Sequence, residues 1–219
     1  MTKSPKIAVI YYSMYGHIKQ MAHAAVEGIK EQGGTPTLLQ FAETLPGEVL
    51  AKMHAPAKDE NVPVVKPADL TEYDAFVFAF PTRYGRAVAQ VSALFDATGQ
   101  LWATQALNGK MATIIVSTAT QHGGQETTVL TTIPYLAHQG MSMFNKQPSS
   151  LTSPPGIIYV PVGYKNQDIM NMTEILGGSP YGAATLAAGD GSRQPSELEI
   201  KGAKFHGMHF SEIVSKYIS

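Results

Sequence analysis

Lys6-Ile-Ala-Val-Ile-Tyr-Tyr-Ser-Met-Tyr-Gly-His-Ile18 decides the fold. Its first half is a nearly continuous run of apolar, β-branched and aromatic residues, as expected of a strand buried on both faces in a parallel sheet. Its second half brings a hydroxyl, Ser13, and a glycine, Gly16, directly before a helical repeat. That repeat (Ile18, Met21, Ala22, Ala25, Val26, Ile29) stops at Gly33-Gly34. Strand, hydroxyl–glycine turn and helix form half of a crossover unit.

Working outward, the unit recurs. Thr35 to Phe41 reads as a second strand and Met53 to Thr71 as an irregular surface connection. Tyr73 to Phe80 is a strand followed by helical periodicity over Val88 to Thr98, and Met111 to Ser117 is a strand followed by a helix from Gln125 to His138. Ile157 to Val162 is a last strand, and Ser196 to Ile218 a C-terminal helix. This alternation predicts one domain spanning 1–219, a doubly wound α/β sheet of five parallel strands. Two stretches interrupt it. Ser142 to Gly156 is polar and proline-rich, and Asn166 to Pro195 is long and glycine-rich. Loops of that length usually bind something or fold against a partner.

Composition narrows the function. Hydrophobic residues make up 44% and charged residues 15%, with a net charge of −1, which suits a compact globular protein and offers no electrostatic footprint for nucleic acid. The absence of cysteine removes disulfides, thiolate catalysis, iron–sulfur clusters and cysteine-ligated zinc. No secretory leader pattern and no run of about 20 apolar residues is visible, so a cytoplasmic, non-membrane protein is expected.

In open α/β sheets, ligands sit beyond the carboxyl ends of the strands. Three loops should meet there: Ser13-Met-Tyr-Gly-His17, Pro81-Thr-Arg-Tyr-Gly-Arg86 and Ser117-Thr-Ala-Thr-Gln-His-Gly-Gly124. The first offers a hydroxyl, a closely approaching backbone and a helix N-terminus, which together suit a phosphate. The others add amides, hydroxyls and one aromatic ring but no close carboxylate pair, which favours a flat, polar-edged ring over hydrolysis. Taken singly, each loop is also an ordinary turn or cap. Trp102 alone reads as core, His206 and His209 as helix surface rather than a metal site, and His138 equally as a core or a functional histidine. The residues by themselves reach a phosphate-bearing cofactor and do not name it.

The quoted blocks go further. Tyr11-Tyr-Ser-Met-Tyr-Gly-His-Ile18, Pro81-Thr-Arg-Tyr-Gly85, Thr98-Gly-Gln-Leu-Trp102, Gly123-Gly-Gln-Glu126, Leu136-Ala-His-Gln-Gly-Met141, Gly178-Ser-Pro-Tyr-Gly-Ala183 and Gly189-Asp-Gly-Ser-Arg-Gln-Pro195 resemble the WrbA family, in order and over nearly the whole chain. The resemblance implies a flavodoxin-like sheet of strand order 2-1-3-4-5, FMN as cofactor, and two-electron reduction of quinones by NADH or NADPH in a ping-pong cycle. It implies FMN contacts at Ser13, Met14, Tyr15, Gly16, His17 and Ile18; at Pro81, Thr82, Arg83, Tyr84 and Gly85; and at Ser117, Thr118, Ala119, Thr120, Gln121, His122 and Gly123. It places His138 beside the flavin as a catalytic candidate, Tyr12 at the nicotinamide nucleotide and Trp102 over the ring. It further implies a homotetramer, a dimer of dimers, whose sites neighbouring subunits complete, and a role against oxidative stress from quinones. A one-electron carrier of flavodoxin type is the alternative.

Two departures from the family pattern stand out. The third loop is one residue longer than in bacterial relatives and carries His122. Ser142 to Gly156 intervenes where the family runs almost directly into the last strand. Because loop closure costs grow slowly with length, this insert is expected to be a surface excursion. Deleting residues 142–156 should therefore leave FMN affinity unchanged in a fluorescence titration; a large gain on deletion would show that the insert disturbs the site.

Overall fold

The computed structural model describes residues 4–139 and 157–219; the expected 142–156 excursion lies outside the described residues. Strands are β1 (Lys6–Tyr11), β2 (Thr35–Gln40), β3 (Ala75–Arg83), β4 (Arg86–Ala87), β5 (Met111–Thr118), β6 (Ile158–Tyr159) and β7 (Ala184–Leu186). Helices are α1 (His17–Glu31), α2 (Gly47–Lys52), α3 (Ala89–Asp96), α4 (Gly99–Ala103), α5 (Gln125–His138) and α6 (Glu197–Tyr217). The sheet runs β2-β1-β3-β5-β6, which is the expected order 2-1-3-4-5, with β4 added to β3 and β7 to β5. Every pairing along that path is parallel.

The strands are buried on both faces, as their unbroken apolar character requires. Ala8, Ile10 and Tyr12 join a core with Phe76, Phe78 and Phe80 that Val91, Leu94, Val129 and Leu136 of α3 and α5 cover. Their neighbours Ile7, Val9 and Tyr11 join a second core with Ile18, Met21 and Ala25 of α1 and Ala203, Phe210 and Val214 of α6. On that side α1 and α6 cross closely. A Cβ on Gly28 would lie 1.9 Å from Lys204 O, and one on Gly207 would lie 2.2 Å from Ala25 O, so the crossing needs glycine on both helices.

The last strand position departs from expectation. The strand expected over 157–162 is short, and β6 pairs only Met111 and Ala112, at the start of β5. The chain then leaves the sheet and returns as β7, which pairs Val116, Ser117 and Thr118 at the carboxyl end. Gly182 permits the return, since a Cβ there would sit 2.2 Å from Ile114 O. His206 fills the gap between the two half-strands. Its Nδ1 accepts from Ala183 N at 3.2 Å, which leaves Nε2 to donate to Thr113 Oγ1 at 2.5 Å, and that hydroxyl donates to Val160 O at 2.7 Å. Burial, with His209 second, pushes the His206 pKa down to about 3, so the ring is neutral. The helix-surface expectation for His206 and His209 is thus corrected: they are only 1% and 7% exposed, and His206 stands in for missing ladder bonds.

Gly207→Ala should push α1 and α6 apart and destabilise the protein by about 1–3 kcal/mol. Urea unfolding measures this; an unchanged midpoint would mean that the helices do not cross at this glycine.

Candidate functional site

Four walls enclose a cleft of about 330 Å³ at the carboxyl ends of the strands. The first is the turn from β1 into α1. Ser13 Oγ accepts from Gly16 N at 3.0 Å, leaving its own proton free to donate. Gly16 is the N-cap of α1, in the left-handed region at φ 93°, and supplies no side-chain cap. The first-turn N–H groups of α1 therefore have no acceptor within the helix and are free for an anion. By contrast α6, which starts with a capping box of Ser196 and Glu199, satisfies its own first turn.

The second wall is Pro81, Thr82 and Arg83, which belong to β3 rather than to a loop. Tyr84 and Gly85, at φ 53° and 77°, form the two-residue turn into antiparallel β4. Gly85 N donates to Thr82 Oγ1 at 3.1 Å, Thr82 Oγ1 meets Thr128 Oγ1 at 2.7 Å, and Thr131 Oγ1 donates to Gly85 O at 3.1 Å. A threonine ladder on α5 thereby fixes the hairpin. The third wall is Ser117, Thr118 and Ala119. Thr118 Oγ1 donates to Thr120 O at 2.9 Å, which turns Thr120, Gln121, His122 and Gly123 away beyond the rim. Those four do not line the cleft.

The fourth wall, Ala187, Ala188, Gly189, Asp190 and Gly191, was not among the expected site residues. It follows β7, whose Ala-Thr-Leu sequence among glycines carries no strand periodicity. The signals available were the long glycine-rich stretch Asn166 to Pro195 and the Gly189-Asp-Gly-Ser-Arg-Gln-Pro195 block within it. Ser192 N and Oγ both donate to Asp190 Oδ1, at 3.0 and 2.7 Å, and hold its carboxyl below the usual range. His17 Nε2 lies 2.9 Å from Arg193 O and joins the first wall to the fourth.

Three expected residues are elsewhere. Tyr12 is 2% exposed; its hydroxyl donates to Glu43 Oε2 at 3.0 Å and Lys58 Nζ lies 4.1 Å over its ring, so it does not face the cleft. The tyrosine at the rim is Tyr15, 45% exposed, whose hydroxyl donates to Met53 O at 3.2 Å. Trp102 is exposed on α4, and His138 is exposed at the last residue of α5. A helix of that length spans about 20 Å, so His138 stands far from the α5 N-terminus that supports the hairpin. Among the described residues, no group of three His, Cys, Asp or Glu could hold a metal.

Behind the first loop, Glu43 organises a partly buried ionic cluster. Burial raises its pKa, but hydrogen bonds from Gln90, Leu45 N, Lys58 and Thr44 N outweigh this and hold it at about 2. Lys58 Nζ, 3.1 Å from Glu43, also donates to Ser13 O at 3.3 Å, so the cluster braces the turn from β1 into α1.

Comparison with known proteins gives a consistent picture. The family model described as Flavodoxin matches residues 9–140. The chain is 50% identical over 216 residues to Minor allergen Alt a 7 of Alternaria alternata, covering 97% of this chain and 98% of that protein. It is 48% identical to Quinone-oxidoreductase QR2 of Triphysaria versicolor, covering 96% of each. It is 45% identical to an NAD(P)H dehydrogenase (quinone) of Paraburkholderia phymatum, again covering 96% of each. Among solved structures it is similar in fold to a WrbA-like flavodoxin from Agrobacterium tumefaciens, at TM-score 0.62 and 17% identity over 98% of this chain and 99% of that one.

Glu43 yields a pH prediction. Because its folded pKa is depressed from the ordinary 4.5 to about 2, its contribution is present above pH 4.5 and lost as pH falls towards 2. Glu43→Gln should cost about 2 kcal/mol at pH 7 and much less at pH 2.5, as measured by urea unfolding. An equal cost at both pH values would show that the carboxylate is not held in this way.

Proposed function

The chain belongs to the flavodoxin family, in its WrbA-like branch, and on that footing we propose that it is an FMN-dependent NAD(P)H:quinone oxidoreductase. The observation that carries the reading is the meeting of an uncapped helix N-terminus and a free serine hydroxyl with a cleft walled by backbone. The cleft volume of about 330 Å³ falls in the range of small-ligand sites. These residues fit FMN. Ser13 and the first-turn amides of α1 would hold the phosphate, with the helix dipole adding about 0.3–1 kcal/mol. Pro81, Thr82 and Arg83 on one side and Ser117, Thr118 and Ala119 on the other would bracket the ring system, with Ala187 to Gly191 closing the remaining wall.

When bound, FMN supplies the acceptance of a hydride from the nicotinamide and the delivery of two electrons to a quinone. The chain's part is to bind, orient and shield. Thr82, locked by Thr128 and Gly85, keeps the β3 end rigid where the ring would lie. The titratable side chains His17 and Asp190 are committed to Arg193 O and Ser192, so neither is poised to protonate a reduced quinone. Protons come from solvent or from a neighbouring copy. In the homotetramer expected from the family, exposed Trp102 and His138 would be brought to a neighbour's cleft, since neither reaches its own. Tyr15, rather than Tyr12, would border the space that nicotinamide and quinone occupy in turn. A cytoplasmic enzyme protecting against quinone-derived oxidative stress is the biological setting that this chemistry suits.

Added anaerobically to the FMN-loaded protein, NADH should bleach the flavin spectrum, and benzoquinone should restore it without a long-wavelength one-electron band. Initial-rate plots should give parallel lines. Intersecting lines would refute the shared space, and a flavin that NADH leaves coloured would favour the one-electron carrier.

A further inference from the structure

The interaction that fixes the fourth wall is an ion pair outside the residues that line the cleft, with a fully buried carboxylate and a guanidinium side chain 28% exposed. Glu199, at the start of α6, has a fully buried side chain. Oε1 accepts from Gly177 N at 2.8 Å; Oε2 accepts from Thr185 Oγ1 at 2.8 Å, Ser196 N at 2.8 Å and Arg193 Nη1 at 2.9 Å. Arg193 places two further donors on the same segment, with Nη1 to Leu186 O at 2.7 Å and Nη2 to Ile175 O at 3.0 Å. Its backbone closes the cleft loop: Arg193 N donates to Ala187 O at 3.1 Å, and Arg193 O meets His17 Nε2 at 2.9 Å. Ala187 N, at the other end of the loop, donates to Thr118 O at 2.9 Å.

We propose that Arg193 and Glu199 are positioning residues for the cofactor, a clamp that sets the fourth wall and the first residue of α1 together and so couples FMN affinity to the order of residues 184–193. This rests on the FMN reading above. A buried ion pair is seldom the most stable filling of a core, whereas it does fix geometry, because each partner tolerates few arrangements. Here every bond from the pair ends on the excursion between β6 and α6 or on the α6 start, and the arginine's carbonyl carries the constraint across to the phosphate loop. Replacing Glu199 by glutamine keeps the volume but turns an amide donor towards a ring of donors, so the clamp opens without a cavity.

The test compares E199Q and R193K with T113V, which removes a buried hydroxyl from the sheet gap and loosens the protein away from the cleft. FMN dissociation constants from flavin fluorescence and amide exchange of residues 184–193, with and without FMN, are measured for each. E199Q should weaken FMN about tenfold or more, the scale of one lost charge-assisted hydrogen bond. It should also speed exchange across 184–193 in the FMN-free protein. R193K, which keeps the charge but not the fork, should show the same changes to a smaller degree. T113V should lower the melting temperature while leaving FMN affinity within about twofold, because it opens no group on the cleft. Wild-type FMN affinity in E199Q and R193K, or a loss in T113V that matches theirs in proportion to melting temperature, would overturn the clamp. Should E199Q fail to fold, R193K decides by the same two readouts. A wild-type protein that does not bind FMN would overturn the functional reading instead, and unchanged exchange at 184–193 in both variants would separately remove the clamp.

Discussion

Glu199 accepts four hydrogen bonds with no exposed surface, and the shape of the cleft depends on it. The last sheet position is divided between β6 and β7, so the chain must leave the sheet, return, and still place a wall at the carboxyl end of β5. Of Ala184-Thr-Leu186, only Leu186 brings a large apolar side chain to that return. Glu199 supplies the missing constraint by gathering Gly177 N, Thr185 and Arg193 onto the first turn of α6. Gln125 strengthens it from the other side, accepting from Gly178 N at 2.9 Å and donating to Thr185 O at 3.3 Å. His206 does the complementary work in the gap itself, replacing ladder bonds that the divided strand cannot make.

Much of this was legible in the sequence where burial and periodicity coincide. The run Ile7 to Tyr12 announces a strand buried on both faces, and the alternation of its residues between two cores confirms the reason. The first wall of the cleft was legible because Ser13 and Gly16 stand at a strand-to-helix junction beyond the carboxyl end of β1. What was hidden shares one cause: it depends on partners remote in sequence. β7 is an Ala-Thr-Leu segment that becomes a strand only because β5 offers an open edge. His206 looks like surface in a helical sequence and is buried only because β6 stops short. Tyr12 and Tyr15 are equivalent as residues in a motif, and only the path of the turn sends one beneath Lys58 and the other to the rim.

Charge is distributed to serve rigidity more than attraction. Glu43 and Lys58 neutralise each other behind the turn from β1 into α1, with Lys58 still bonded to Ser13 O, so the turn is braced by a nearly neutral cluster. Arg193 and Glu199 do the same behind the fourth wall. The proposed phosphate site would be left to backbone amides and the Ser13 hydroxyl at the start of α1. Preorganised dipoles of this kind bind without having to reorient. The exposed Trp102 and His138 belong to no part of this arrangement.

The most direct test of the account is a crystal structure of the protein grown with FMN. The account predicts the phosphate at Ser13 and the first turn of α1, the ring between Pro81–Arg83 and Ser117–Ala119, and the wall from Ala187 to Gly191 closed over the chain between them. A flavin bound elsewhere, or a phosphate held away from the α1 N-terminus, would contradict it.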